Sequence, residues 1–160
     1  MIAKIKLNGR DYSINVKGNE RLLDSLRKLG MKSVKEGCSV GDCGSCNVIV
    51  NGRLVNSCMM LTIQARGSEV TTCEGLGTPE KLHPLQKAFV DSGVPQCGYC
   101  IPGVLVTAKY YLDNHPKPRA EEIRGALEGN ICRCGAYTKI TQAILAASNR
   151  PKTRAMISSR

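Results

Sequence analysis

Eight of the nine cysteines stand in two groups of four. Cys38, Cys43, Cys46 and Cys58 follow the spacing C-x4-C-x2-C-x11-C, and Cys97, Cys100, Cys132 and Cys134 follow C-x2-C-x31-C-x-C. Four thiolates are the donor set of a [2Fe–2S] cluster, and a C-x4-C-x2-C loop with a distant fourth cysteine is one of the spacings that wraps it. Two such sites on a short chain predict a protein that moves single electrons between two points. Zinc is the competing metal. It favours paired C-x2-C knuckles, so it fits the first quartet poorly. At the second, C-x2-C with C-x-C leaves zinc and [2Fe–2S] both open. A Rieske centre needs two histidine ligands. His83 and His115 lie outside the quartet, each beside a proline, where packing or surface roles are expected.

The elements that position these thiols can be read in outline. The first half is β-rich. Lys4–Leu7 and Tyr12–Val16 alternate about Asn8-Gly9, a hairpin turn. Arg21–Leu29 places four leucines on one helical face, with Gly30 as its stop. Gly37, Gly41 and Gly44 interleave with Cys38, Cys43 and Cys46, as expected of a loop that curls tightly and aims backbone N–H groups at sulfur. Cys46–Val50 and Arg53–Asn56 form a second hairpin about Asn51-Gly52, and Glu69–Thr72 is a last short strand. A small sheet on one helix, with a cysteine loop over it, predicts a β-grasp, plant-type ferredoxin domain over residues 1–75.

Two glycines and a proline between Glu74 and Pro79 mark a connection. Beyond it the pattern is helical, with Pro84–Ser92, Pro102–Asn114, Arg119–Leu127 and Tyr137–Ser148 predicting a four-helix bundle over 76–149. Cys97 and Cys100 open its second helix, and Cys132 and Cys134 precede its fourth. The fold class is therefore α+β. Residues 150–160 form a basic tail containing Arg150, Lys152, Arg154 and Arg160, expected to be a solvated end. Cys73, the ninth cysteine, ends a strand and is expected to be a small buried hydrophobe.

The chain has 160 residues, a formal charge of +10, one Phe and no Trp. Two clusters of net −2 each lower that charge to about +6, which suits an acidic protein partner. The basic residues are scattered without aromatic platforms, which argues against nucleic acid. The odd cysteine count, the close CxxC and CxC pairs and the absence of a signal-like start argue against a secreted disulfide protein and for a cytoplasmic one. No apolar run approaches the ~18 residues of a membrane span.

The runs Glu36-Gly-Cys-Ser-Val-Gly-Asp-Cys-Gly-Ser-Cys46, Gln96-Cys-Gly-Tyr-Cys-Ile-Pro-Gly103 and Gly129-Asn-Ile-Cys-Arg-Cys134 resemble the small iron–sulfur subunit of the molybdenum hydroxylases, the xanthine dehydrogenase, aldehyde oxidoreductase and carbon monoxide dehydrogenase group. The resemblance runs from about Ile2 to Ala147. It implies [2Fe–2S] at both quartets. It also implies molybdopterin on a large partner subunit, FAD on a medium one, and assembly as a dimer of heterotrimers. In that family the glutamine before the C-x2-C bonds the pterin, which assigns the role to Gln96. Cys134 is implied to lie nearest the pterin. Three positions depart from the family pattern. Gly135-Ala136-Tyr137 stands for Thr-Gly-Tyr, Ile101 for Thr, and Cys73 for an aliphatic residue.

The expected function is electron transfer from molybdopterin through both clusters to FAD, since no carboxylate pair or nucleophile–base set suggests substrate chemistry on this chain. Met1 and the tail after Ser148 favour a separate subunit over a fragment of a single-chain enzyme. A free-standing two-cluster carrier and a cluster- or zinc-based redox sensor are the alternatives. Gel filtration from the native source separates the first, and metal analysis with absorption spectroscopy the second.

Overall fold

Residues 1–149 are described by the structure, a computed structural model; the basic tail lies outside the described residues. Strands β1 (Ile2–Leu7) and β2 (Arg10–Asn15) form an antiparallel hairpin. Its turn uses Asn8 and Gly9 at φ 49° and 81°, the left-handed pair that a two-residue hairpin needs. β3 (Asn47–Val50) and β4 (Arg53–Asn56) repeat the arrangement about Asn51-Gly52. β5 (Glu69–Thr71) lies between the hairpins, parallel to β1 and antiparallel to β3, so the sheet order is β2-β1-β5-β3-β4. This mixed sheet with one helix is the expected β-grasp layout.

Alternation along β1 buries Ala3, Ile5 and Leu7 on one face. Helix α1 (Leu22–Lys28) sets Leu22, Leu23 and Leu26 against them, all fully buried. Each such leucine is worth about 1.5–3 kcal/mol on leaving water. The helix is one residue shorter at each end than Arg21–Leu29. Arg21 is extended at φ −70°, ψ 146° and makes a β-bridge with Leu61, so its backbone serves the sheet side while its side chain faces the cysteine loop.

The second half holds α2 (Pro84–Asp91), α3 (Ile101–Asn114), α4 (Ala120–Ala126) and α5 (Tyr137–Ser148). Their core gathers Leu85, Phe89, Val104, Ile123, Ile140 and Ile144, with the expected four-helix packing. Cys73 is buried in this core, not in that of the sheet, and burial pushes its thiol up to about 11. His83 caps α2, its Nδ1 accepting from the Leu85 N–H at 3.2 Å. His115 stacks on Tyr111 with ring centroids 4.3 Å apart. Both histidines therefore have the packing roles expected of them.

The halves meet where α3 crosses β3. Gly103 on α3 stands so close to Gly44 that a Cβ there would strike the Gly44 carbonyl. Beside it, buried Asn47 donates to Thr107 Oγ1 at 2.9 Å, Thr107 donates to the Gly103 carbonyl at 2.9 Å, and Asn56 donates to Asn47 Oδ1 at 2.8 Å. Thr107→Val keeps the shape and leaves the Asn47 amide short of an acceptor. An unpaired buried donor costs about 1–3 kcal/mol, so the thermal midpoint of the loaded protein should fall, and Thr107→Ser should restore most of it. Equal midpoints for Thr107→Val and the parent would show that this bond does not hold the joint.

Candidate metal centres

The first quartet is carried by the loop between α1 and β3, with Cys58 supplied from a 3-10 turn just after β4. Ser39, Gly41 and Gly44 all take positive φ, at 59°, 86° and 68°. The chain thus doubles back, and the N–H groups of Val40, Asp42 and Cys43 reach Cys38 Sγ at 3.5, 3.3 and 3.4 Å. These amides, that of Val40 foremost, bring the Cys38 thiol down to about 7. At Gly37 a Cβ would sit 2.6 Å from Cys43 Sγ, so only glycine leaves that sulfur its place. Cys58 is buried, and desolvation with the neighbouring Cys46 thiol pushes it up to about 11.

The second quartet joins two loops. Cys97 and Cys100 flank a turn at Gly98 and lead into α3, while Cys132 and Cys134 precede α5. Cys100 is buried and pushed up to about 12 by burial and by Cys132. Cys97 is lowered, chiefly by the Tyr99 N–H and then by Cys134. For Cys132, burial works upward, but the Ala136 amide, Cys100 and further amides outweigh it, and the net shift is down. The Cys132 N–H donates to Tyr137 Oη at 2.9 Å.

Within each expected quartet the thiols stand against one another in pairs. Cys38 lies against Cys43, and Cys46 against Cys58. Cys97 lies against Cys134, and Cys100 against Cys132. Among the described residues no His, Cys, Asp or Glu group converges as a single-ion site. Two thiol pairs with N–H donors around them fit a cluster of two irons, each taking one pair. In both quartets one pair is more open than the other. Cys46 and Cys58 are buried while Cys38 and Cys43 are partly exposed, and Cys100 and Cys132 are buried while Cys97 and Cys134 are exposed. Gln96 is exposed beside Cys97.

The two loops also bond directly to one another. The Ile131 N–H, next to Cys132, donates to the Cys43 carbonyl at 3.0 Å. Asn130 Nδ2 contacts the Gly44 carbonyl at 3.4 Å, and Tyr99 Oη donates to the Glu36 carbonyl at 2.5 Å. Lys35 sits over the Tyr99 ring, 5.1 Å from its centroid. Spacing gave no role to Tyr99, Asn130 or Ile131. Only the placement of Tyr99 between two ligand candidates and of Asn130-Ile131 before a third was a signal.

With that geometry in place, the comparisons agree. Residues 5–76 match the "2Fe-2S iron-sulfur cluster binding domain" family, and residues 72–145 the "[2Fe-2S] binding domain" family. The chain is 49% identical over 147 residues to the nicotinate dehydrogenase small FeS subunit of Eubacterium barkeri, covering 91% of this chain and 94% of the relative. It is 41% identical to the aldehyde oxidoreductase iron-sulfur-binding subunit PaoA of Escherichia coli, covering 93% and 72%. A chain in the crystal structure of quinoline 2-oxidoreductase from Pseudomonas putida 86 superposes with a TM-score of 0.89 at 38% identity, covering 92% of this chain and 93% of that one. Two matched cluster-binding families, these identities and a shared fold lead to one conclusion: the chain belongs to the small [2Fe–2S] iron–sulfur subunit family of the molybdenum hydroxylases.

Proposed function

We propose that this chain carries electrons between two partners of a molybdenum hydroxylase, from a molybdopterin subunit to an FAD subunit. Cys38, Cys43, Cys46 and Cys58 hold one cluster, and Cys97, Cys100, Cys132 and Cys134 hold the other. When bound, a [2Fe–2S] cluster takes up and gives up one electron at a time. The observation that carries this reading is the split of each quartet into an outer and an inner thiol pair. An outer pair gives each site an edge that a partner can approach, and the inner pairs keep the remainder dry.

The chain's own groups prepare the sites. Cys38, held near 7, offers a thiolate around neutral pH, whereas Cys58 and Cys100 release their protons only to metal. Amides directed at Cys38 and Cys132 favour added negative charge on the sulfurs. Gln96 lies at the open edge with Cys97 and Cys134 and is assigned the pterin contact there, with Cys134 nearest the cofactor. The Cys38 and Cys43 edge is assigned to the FAD side, where exposed Val40 and Met59 supply apolar contact area. The domain division near residues 75 and 76, a dimer of heterotrimers and a cytoplasmic setting complete the proposal. Among the described residues no helix is long and apolar enough to cross a membrane. A free-standing carrier would leave the exposed Gln96, Cys97 and Cys134 edge without a purpose.

The purified protein should contain about four irons and four acid-labile sulfides and show two rhombic EPR signals on reduction. Cys73→Val should keep both. Stoichiometric zinc without visible absorption would overturn the assignment, and loss of a signal in Cys73→Val would reassign the ligands.

Gln96→Ala removes one hydrogen bond to the cofactor, worth about 1–3 kcal/mol. In the assembled enzyme it should lower molybdenum retention or slow substrate-driven reduction of the nearer centre. Dithionite should still reduce both centres. Unchanged molybdenum content and unchanged stopped-flow reduction would show that Gln96 does not make this contact.

A further inference from the structure

Cys38 is bracketed by two side chains that meet at one guanidinium. Arg21, at the start of α1, grips Asp24 with Nε and Nη2 at 2.8 and 3.0 Å. Its remaining nitrogen, Nη1, reaches Glu36 Oε1 at 2.9 Å and Ser39 Oγ at 3.3 Å. Ser39 Oγ in turn donates to Glu36 Oε1 at 2.6 Å. Glu36 and Ser39 lie on either side of Cys38, so the three side chains close a ring around its backbone. The Tyr99 hydroxyl holds the Glu36 carbonyl from the other half of the protein.

Ser39 is the residue that needs holding. At φ 59° it is a non-glycine residue in the left-handed region, where L side chains seldom stay without local hydrogen bonds. Its turn, continued by Gly41, carries the Val40, Asp42 and Cys43 amides onto Cys38 Sγ. Those three contacts, at 3.3–3.5 Å, are ordinary N–H···S distances, and all three depend on this one turn keeping its shape. N–H groups directed at a ligand sulfur favour the more negative, reduced state and raise the reduction potential.

We propose that Arg21, Glu36 and Ser39 form a clamp that sets the reduction potential of the first centre by fixing the turn that aims three amides at Cys38. They are positioning residues; none contacts a ligand sulfur or a cofactor in this role. The inference rests on the assignment of Cys38, Cys43, Cys46 and Cys58 as ligands of that centre. One-electron reduction by dithionite adds charge to the centre and breaks no bond in the clamp. Weakening the clamp withdraws amides from sulfur and makes the centre harder to reduce.

The test is an EPR-monitored redox titration of the assembled, cluster-loaded protein. The signal altered by Cys46→Ser identifies the first centre. Ser39→Ala and Arg21→Lys both keep the net charge. The first removes the hydroxyl that joins the ring, and the second replaces the planar fork by a point charge. Each should lower the equilibrium constant for reducing the first centre by about tenfold, which is about 59 mV for a one-electron couple. The second centre and the iron content should stay unchanged. Two results overturn the clamp: both variants titrating like the parent, or both centres shifting together, which would indicate general loosening. If Cys46→Ser alters neither signal, the ligand assignment fails first, and the clamp with it.

Discussion

Gly44 has no room for a side chain, and the rest of the molecule is arranged around that fact. A Cβ on it would run into the Gly129 carbonyl and the Asn130 amide, and a Cβ on Gly103 would run into Gly44 itself. The loop of the first quartet is therefore pressed against the loop before Cys132 and against the first turn of α3. The Ile131-to-Cys43 hydrogen bond lies in the same seam. Each half has its own hydrophobic core, and the contact between them joins the cysteine loops, a buried Asn47–Thr107 pair and the packing of Ile49 and Leu54 from the sheet on the helical core. Polar groups placed this way must be matched or they destabilise. No buried side-chain nitrogen or oxygen among the described residues lacks a partner.

Such an arrangement suits a chain with little aromatic mass. With one Phe and no Trp, each half has a modest core. Metal ligation fixes loops that burial alone would leave loose, because its binding free energy is also folding free energy. The thiols are graded for this. Cys38 is held near 7 by amides, while buried Cys58 and Cys100 stay protonated until metal displaces the proton. Cys73 is buried in the helical core, where burial pushes its thiol up to about 11.

What could be read in the sequence was whatever depends on residue type and local spacing. The quartets, the Asn-Gly turns, the leucine face of α1 and four helices all do. What could not be read depends on which backbone meets which. The parallel pairing of β1 with β5 joins segments far apart in the chain. The amides at Cys38 and the Ile131 N–H carry no residue identity, so no motif announces them. Arg21 looked like the first residue of a helix because it precedes the leucine run, but its side chain is taken by Asp24, Glu36 and Ser39 and its backbone by Leu61. C-x2-C with C-x-C left zinc open at the second quartet. The match of residues 72–145 to the "[2Fe-2S] binding domain" family is what favours [2Fe–2S] there.

The seam at Gly44 should hold the two proposed one-electron centres together as one rigid unit. EPR of the protein poised first with one centre reduced and then with both measures this directly. Splitting or broadening from spin–spin interaction should appear only in the doubly reduced protein, with the same strength from sample to sample. Two signals that simply add, with no interaction in the doubly reduced state, would contradict it.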